Sequence, residues 1–348
     1  MNAFFGIFLH FLGGFASGSF YIPYRKLKGW SWESGWIVGG IASWILAPWI
    51  FGWLTVSDLT ASIGAADSPT IFYTILFGVL WGFGGLTYGL TMRYLGVSLG
   101  VAVALGFCAA FGTLIPPVWE GRLGELMATA SGQATLLGVL VCLFGIAVSG
   151  WAGILKEREL DPSQQKAAVQ EFDLRKGLMV GTFCGIMSAC FAFGLTAGKP
   201  IADAAVAHGT DPLWKNNAIL PVLLIGGFLT NFVWCMILNR RNRSFGDYSN
   251  SAAPLKNNYS WAAVAGVTWY FQFFFYGMGQ SKLGKTLDFA SWTLHMAFII
   301  TVGTLWGLYY KEWKGVSSKT LRWLYAGLGL IIFSTILIGY GSYLSSRQ

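Results

Sequence analysis

A long apolar stretch in the second half of the chain carries side chains suited to binding a small polyhydroxylated molecule. Its aromatic and amide residues recur at steps of three, four and four: Trp269, Gln272, Tyr276 and Gln280. On a helix these steps place them on one face. Aromatic rings there can cover the apolar face of a ligand while the amides bond to its hydroxyl groups. The alternative is that the glutamines only tie helices together, since such hydrogen bonds are common inside membranes.

A second apolar stretch follows a short charged bend and adds a carboxylate, a hydroxyl and an imidazole. These groups again share one helical face, about one turn apart: Asp288, Ser291, Trp292 and His295. The two stretches together predict a substrate site to which Trp292 and His295 also belong.

The composition places these stretches in a membrane. Hydrophobic residues make up 55% of the chain and charged residues 11%, well below the roughly 25% charge of soluble domains. The net charge of +8 does not indicate nucleic-acid binding, because lysines and arginines fall in short gaps between apolar runs. The sequence predicts an all-α integral membrane protein.

Motifs for enzyme chemistry and metal binding are missing from the sequence. It has no nucleophile elbow, no phosphate-binding loop with its lysine and no zinc-binding histidine pair. The three histidines are widely separated, and the five cysteines lie in apolar stretches without metal or redox spacing. We therefore expect no enzyme activity, no metal and no cofactor.

Ten apolar segments are long enough to span a bilayer, which takes about 20 residues each. They are residues 3–24, 32–54, 70–92, 96–118, 134–155, 176–198, 216–238, 260–280, 288–310 and 321–344. The first is expected to remain as a membrane helix, because it lacks the basic flank and cleavage site of a signal peptide.

The distribution of basic residues predicts the orientation. In and at the edges of the odd-numbered gaps there are 17 lysines and arginines, against 6 in the even-numbered gaps and the termini. The positive-inside rule then makes the odd-numbered gaps cytoplasmic, including the polar segment 156–175. With an even number of spans, both termini are predicted to be periplasmic.

The two halves of the chain resemble each other. A shift of 188 aligns residues 78–99 with 266–287 at nine identities, among them Trp81 with Trp269 and Tyr88 with Tyr276. A weaker match aligns Gly6, Gly14, Ser17 and Phe20 with Gly177, Gly185, Ser188 and Phe191. We therefore predict a first five-helix repeat at 1–155, a cytoplasmic linker at 156–175 and a second repeat at 176–348. An odd number of spans in each makes the repeats inverted, as in alternating-access transporters.

The repeat adds Trp81 and Tyr88 to the predicted substrate site. Asn231 lies in the middle of the seventh segment, where its amide could bind the ligand or tie helices together.

Few titratable groups lie within the apolar segments, and these are the candidates for ion coupling. Glu33 opens the second segment, His10 lies within the first, and Asp288 follows the charged bend. Glu33 is the favoured carrier and His10 the second choice, because an ion pair with Lys282 or Lys285 would keep Asp288 ionised. Each has an alternative: Glu33 can be an interfacial residue in a first helical turn, and His10 a neutral hydrogen-bonded group.

Five stretches closely resemble the bacterial L-rhamnose/proton symporter family, within the drug/metabolite transporter superfamily. They are WSWESGWIVGGIASW (30–44), YGLTMRYLG (88–96), QFFFYGMGQ (272–280), DFASWTLHMAF (288–298) and KEW (311–313). The resemblance runs essentially end to end. It implies ten spans in two repeats in the bacterial inner membrane, and import of L-rhamnose together with a proton as the coupling ion.

Residues alone indicate a secondary transporter for a small polar solute, and the resemblance specifies a proton-coupled importer of a deoxy sugar. The alternatives are an exporter or exchanger of another metabolite, or a membrane solute sensor. A sensor should carry a signalling domain and an enzyme a clustered catalytic set, and the sequence has neither. The expected partners are the sugar and the lipid bilayer, with no nucleic acid and no obligate protein partner indicated.

Overall fold

The computed structural model describes residues 2–159, 173–283, 290–311 and 313–345, and all regular structure in these ranges is helical. A π-helix lies at Ile41–Leu46, and 3-10 turns lie at Lys215–Ala218 and Ser244–Tyr248. In chain order the α-helices are α1 Asn2–Ser19, α2 Tyr21–Tyr24, α3 Trp32–Gly40, α4 Ala47–Thr55, α5 Leu59–Gly64, α6 Ser68–Trp119, α7 Leu123–Ala128, α8 Ala130–Glu159, α9 Leu174–Ala197, α10 Lys199–Ala207, α11 Leu220–Asn242, α12 Leu255–Leu283, α13 Ala290–Tyr309 and α14 Ser318–Ser345.

Eight helical segments among the described residues are long and apolar enough to cross a membrane. They are Phe4–Tyr24, Trp32–Thr55, Ser68–Thr91, Ala130–Lys156, Arg175–Ala207, Leu220–Asn242, Ala290–Tyr309 and Ser318–Ser345. Each overlaps one of the ten predicted spans. The protein is therefore a multi-pass helical membrane protein.

The other two predicted spans, 96–118 and 260–280, also coincide with helices, which differ from the eight in length or polarity. The apolar helical stretch Val103–Trp119 is shorter than a full span. Helix α12 is long enough at 29 residues, but glutamines, tyrosines and tryptophans lower its hydropathy. The total of ten spans stays a prediction.

The predicted gap between the third and fourth spans is helical. Helix α6 continues through it, from Ser68 to Trp119, for 52 residues. The sequence at 92–96, MRYLG, contains no proline and no turn-forming pair that would end a helix.

The contacts divide the chain into two compact units, and each draws on both halves of the sequence. The first unit comprises Met1–Gly14, Gly84–Ala192 and Gly279–Gln348; the second comprises Phe15–Phe83 and Phe193–Met278. The predicted repeats, with their limits at 155 and 176, are a separate division of the sequence and stay a prediction.

Helices α8 and α14 pack closely in the first unit through small residues. An added Cβ at Gly145 would lie 2.8 Å from Cγ1 of Ile331, and one at Gly138 would lie 2.7 Å from Cγ1 of Ile338. Small residues allow such close approach without a hydrophobic driving force inside a bilayer. Ile338 also belongs to a buried apolar cluster with Leu126, Val139, Leu283, Ala290 and Leu294.

Two helix pairs in the second unit meet at glycines in contact with backbone. Between α6 and α11, Gly78 lies against the carbonyl of Leu223. A Cβ added to Gly78 would stand 3.2 Å from Cα of Gly226. On α12 and α3, Gly266 lies against the carbonyl oxygen of Gly39. Gly78 and Gly266 are matched by the shift of 188. The facing segments match too, because a shift of 187 aligns Gly39, Gly40 and Trp44 with Gly226, Gly227 and Asn231.

Matched glycines also make matched contacts in the first unit. Gly6 packs against Lys282 and Leu283, while Gly177 packs against Tyr94 and Leu95. The shift of 188 relates these two contact pairs to each other, and the shift of 171 relates Gly6 to Gly177. The internal similarity of the sequence thus corresponds to similar glycine contacts between the two halves of the chain.

Candidate functional site

A cluster of tryptophans from three helical segments lies inside the second unit. Trp81 of α6 and Trp269 of α12 have ring centroids 5.5 Å apart. Trp44, in the π-helix, lies edge-on to both, at 6.1 Å from Trp81 and 5.7 Å from Trp269. Trp36 contacts the other side of Trp44 at 6.0 Å. We call Trp36, Trp44, Trp81 and Trp269 the tryptophan cluster.

The members of the cluster differ in exposure. Trp44 is buried, with 3% of its surface exposed, whereas Trp81 and Trp269 are half-buried. The cluster therefore combines partly accessible indole rings with a buried one.

Residues close to Trp44 in the sequence fix the position of its indole ring. Its six-membered ring lies over Gly40, where an added Cβ would stand 2.6 Å from Cζ3 of the indole. Pro48, four residues later, has no N–H to donate to the carbonyl of Trp44, and its ring clashes with that carbonyl in a regular α-helix. The helix widens into a π-helix at this place, a feature often found at functional sites.

Three buried side-chain nitrogen donors in the second unit lack hydrogen-bond partners among the residues that the structure describes. They are Nε1 of Trp30, Nε1 of Trp44 and Nε2 of Gln272. Gln272 is 4% exposed and follows Trp269 by three residues, so both side chains lie on one face of α12. Tyr276, one turn further on, is also buried.

Both ends of the Asn231 amide are bonded, one to another helix and one within α11. Its Oδ1 accepts a hydrogen bond of 3.0 Å from Nε1 of Trp36, and its Nδ2 donates to the carbonyl of Gly227 at 2.9 Å. Trp81 rests on the same glycine, in the space that a Cβ would fill. These contacts favour a positioning role for Asn231.

Glu33 lies in the first turn of α3 and is buried, with 3% of its surface exposed. Its Oε1 accepts hydrogen bonds from Ser244 Oγ at 2.6 Å and from Asn242 Nδ2 at 3.0 Å. Asp247 lies nearby and accepts from Ser34 Oγ at 2.8 Å. The carboxylate is therefore part of a polar network in the second unit.

A different arrangement surrounds His10 and His295, which are both fully buried in the first unit. The two imidazoles are close enough to interact electrostatically. His10 lies against Gly279, where an added Cβ would stand 2.9 Å from its Nε2. His295 lies 6.2 Å from Trp292, measured between ring centroids. We call His10, His295 and Trp292 the histidine site.

Trp292 is held on two sides within the first unit. Its Nε1 donates to the carbonyl of Cys108 at 3.0 Å, and its ring stacks on Phe191 with centroids 6.1 Å apart. The next residue, Thr293, shares a 2.7 Å hydrogen bond with Thr113.

Of the predicted site residues, the structure brings Trp81 and Trp269 together in one unit and His10, His295 and Trp292 in the other. Tyr88 and Gln280 belong to the first unit and are half-buried. Asp288 lies outside the described residues. The prediction omitted Trp44 and Trp36; the signal for Trp44 was the proline four residues after it. Among the described residues, no group of three histidines, cysteines or carboxylates could hold a metal ion.

Multiple membrane helices with buried aromatic, amide and titratable side chains define the protein as a membrane protein of the transporter type. The sequence profile of the L-rhamnose-proton symport protein family matches residues 1–343. The chain is 39% identical over 339 residues to proteins of Pectobacterium atrosepticum and Klebsiella pneumoniae, and 38% identical to one of Yersinia pestis. Each match covers 97% of both chains, and each relative is named L-rhamnose-proton symporter. The chain belongs to the L-rhamnose-proton symport protein family.

Proposed function

We propose that this protein imports L-rhamnose together with a proton by alternating access. The observation that carries the proposal is similarity along nearly the whole chain to relatives named L-rhamnose-proton symporter. The tryptophan cluster supports it, because half-buried indole rings beside buried donors suit a deoxy sugar, which has both an apolar face and hydroxyl groups.

In this proposal the sugar binds beside the tryptophan cluster. Trp81 and Trp269 cover the apolar face of the sugar, and Gln272 bonds to a hydroxyl group. Tyr276 completes the face of α12, and Asn231 holds Trp36 in place. Tyr88, Gln280, Trp292 and His295 stay substrate-binding residues predicted from the sequence.

Coupling requires a group that binds a proton inside the membrane and whose charge changes the balance between two conformations. Glu33 remains the first candidate, with His10 second and Asp288 third. The hydrogen bonds from Ser244 and Asn242 support a site that can accept a charged carboxylate. His295 lies close enough to His10 to interact with it electrostatically, which gives His10 a neighbouring imidazole that affects its proton binding.

We propose the architecture of the drug/metabolite transporter superfamily, with ten spans, two inverted repeats and periplasmic termini in the inner membrane. The matched glycine contacts support two related halves. A C-terminal alkaline phosphatase fusion should be active in cells, and a fluorescent protein fusion at the same place should be dark. An inactive phosphatase with a bright fluorescent fusion would reverse the orientation.

Transport is tested with purified protein in liposomes. L-rhamnose inside should exchange with labelled L-rhamnose outside, and an inward proton gradient should drive accumulation. Gln272→Ala should weaken sugar affinity at least tenfold, while Phe72→Ala, an exposed position on α6, should leave it unchanged. Binding without exchange would indicate a sensor, and accumulation by an outward gradient would indicate an exchanger or exporter.

Coupling is tested by comparing exchange with gradient-driven accumulation. Glu33→Gln should keep exchange and lose accumulation, because a neutral amide cannot take up a proton. His10→Gln serves as the parallel variant. If both variants concentrate L-rhamnose normally, the carrier is another residue and Asp288 becomes the next to test.

A further inference from the structure

We propose that Trp44 is a sugar-binding residue, which donates its indole N–H to an oxygen of the sugar beside the amide of Gln272. This inference rests on the proposed function and adds a specificity-determining residue to it. Trp44 lies in a mostly apolar run of the sequence, IASWILAPWI (41–50).

Two unpaired donors of the second unit, on Trp44 and Gln272, point to a ligand. A buried indole N–H normally has a hydrogen-bond partner, because leaving it without one is unfavourable. Nε1 of Trp44 has none among the described residues, nor has Nε2 of Gln272. Both side chains are more than nine-tenths buried. The neighbouring Trp36 shows the ordinary arrangement, since its N–H is bonded to Asn231.

The orientation of Trp44 leaves its donor edge available. Atoms Cε3 and Cζ3 of the six-membered ring lie over Gly40, and Nε1 is on the opposite edge of the indole. The π-helix before Pro48 fixes the turn that carries this side chain. The donor edge therefore points away from the helix that bears it.

The surroundings of Trp44 favour a neutral, hydroxyl-bearing ligand over an ion. The described rings that contact it are those of Trp36, Trp81 and Trp269, which are uncharged. Gln272 lies on the same face of α12 as Trp269, whose ring contacts Trp44. Two N–H donors among aromatic rings can bond to hydroxyl or ring oxygens while the rings cover C–H groups.

The inference is tested by pairing the removal of the N–H with the removal of single sugar hydroxyls. Binding of L-rhamnose and its 2-, 3- and 4-deoxy analogues is measured by calorimetry on purified protein. Trp44→Phe removes the donor, and 3-benzothienylalanine at position 44 replaces only the N–H by sulfur. Both variants should bind L-rhamnose about three- to tenfold more weakly.

A direct hydrogen bond predicts a specific pattern across the analogues. The native protein should bind at least one deoxy analogue more weakly than L-rhamnose, and this penalty should disappear in both position-44 variants. The matched control is Trp53→Phe, at a ring that is 61% exposed on α4, and it should keep both the affinity and the penalty.

Two results distinguish a wrong role for Trp44 from a wrong proposed function. Equal penalties in the native protein and in the benzothienylalanine variant would overturn the role of Trp44, and this isosteric variant decides if Trp44→Phe fails to fold. A native protein that binds no L-rhamnose would overturn the proposed function itself.

Discussion

The two helix pairs of the second unit share a glycine contact but differ in the side chains beside it. On α6 and α11 the contact is Gly78 with Gly226, and on α12 and α3 it is Gly266 with Gly39. In the first pair Trp81 rests on Gly227, the residue after the contact glycine. In the second pair, Gly40 is the residue after the contact glycine. It is covered by Trp44, which belongs to the same helical segment as Gly40.

This difference follows from one pair of matched positions. Asn231 is small and uses its amide to bind Trp36 and Gly227, so Trp81 can reach Gly227. Trp44, its counterpart, folds its own ring back onto Gly40. Trp269 therefore packs against Trp44 and Trp81 instead of against a glycine. The shared glycine contact holds each pair of helices together. The difference between Trp44 and Asn231 leaves the N–H of Trp44 unpaired among the described residues, next to the accessible rings of Trp81 and Trp269.

The contact glycines should give the largest effect on stability. A Cβ at Gly226 would overlap the carbonyl oxygen of Ile75 and stand 2.7 Å from the backbone nitrogen of Val79. Backbone cannot move aside as a side chain can, so Gly226→Ala and Gly266→Ala should each destabilise the protein by about 2–3 kcal/mol. The measurement is the thermal unfolding midpoint in detergent.

Gly85→Ala is the control for that comparison, because an added Cβ there meets nothing within 4 Å. Alanine is favoured over glycine in a helix by about 1 kcal/mol, so this variant should be as stable as the native protein or more so. Equal midpoints for Gly85→Ala and Gly226→Ala would show that the glycine contact does not hold the helices.

The glycines under the rings should affect sugar binding more than stability. Gly227→Ala displaces Trp81, and Gly40→Ala displaces Trp44, by contact with indole atoms rather than backbone. Each should weaken L-rhamnose binding about five- to tenfold, or by roughly 1–1.4 kcal/mol. Calorimetric titration measures the affinity, and the unfolding midpoint should change less than in Gly226→Ala. Unchanged affinity in both variants would place the sugar away from these rings.

Much of the helical organisation could be predicted from apolar runs, because each run in a bilayer must satisfy its own backbone hydrogen bonds. The internal repeat was visible because glycines at helix contacts and tryptophans beside them recur at fixed spacing. Gln272 could be selected because an amide in an apolar run is unusual.

The role suggested for Trp44 could not be predicted from sequence in the same way. Tryptophan fits an apolar segment whether its N–H is bonded or not, and only the tertiary structure shows that Asn231 bonds to Trp36 and leaves Trp44 unpaired. The helical structure of residues 93–95 could not be predicted from hydropathy either, because hydropathy falls near Arg93 although no residue there ends a helix.

Asn231 should give the smallest effect, and one opposite in kind to that of Trp44. Asn231→Leu removes the acceptor of the Trp36 N–H and the donor to Gly227, and a hydrogen bond between membrane helices contributes about 0.6 kcal/mol on average. We expect a destabilisation of about 1 kcal/mol, seen as a small fall in the unfolding midpoint. The penalties for deoxy analogues of L-rhamnose should stay as in the native protein, because the amide is already bonded within the helices.

A Trp36→Phe variant removes the same bond from the other side, so combining it with Asn231→Leu should cost less than the sum of the two single changes. If Asn231→Leu instead abolishes the discrimination against one deoxy sugar, its amide contacts the ligand, and the matched positions 44 and 231 serve the same purpose in both helix pairs.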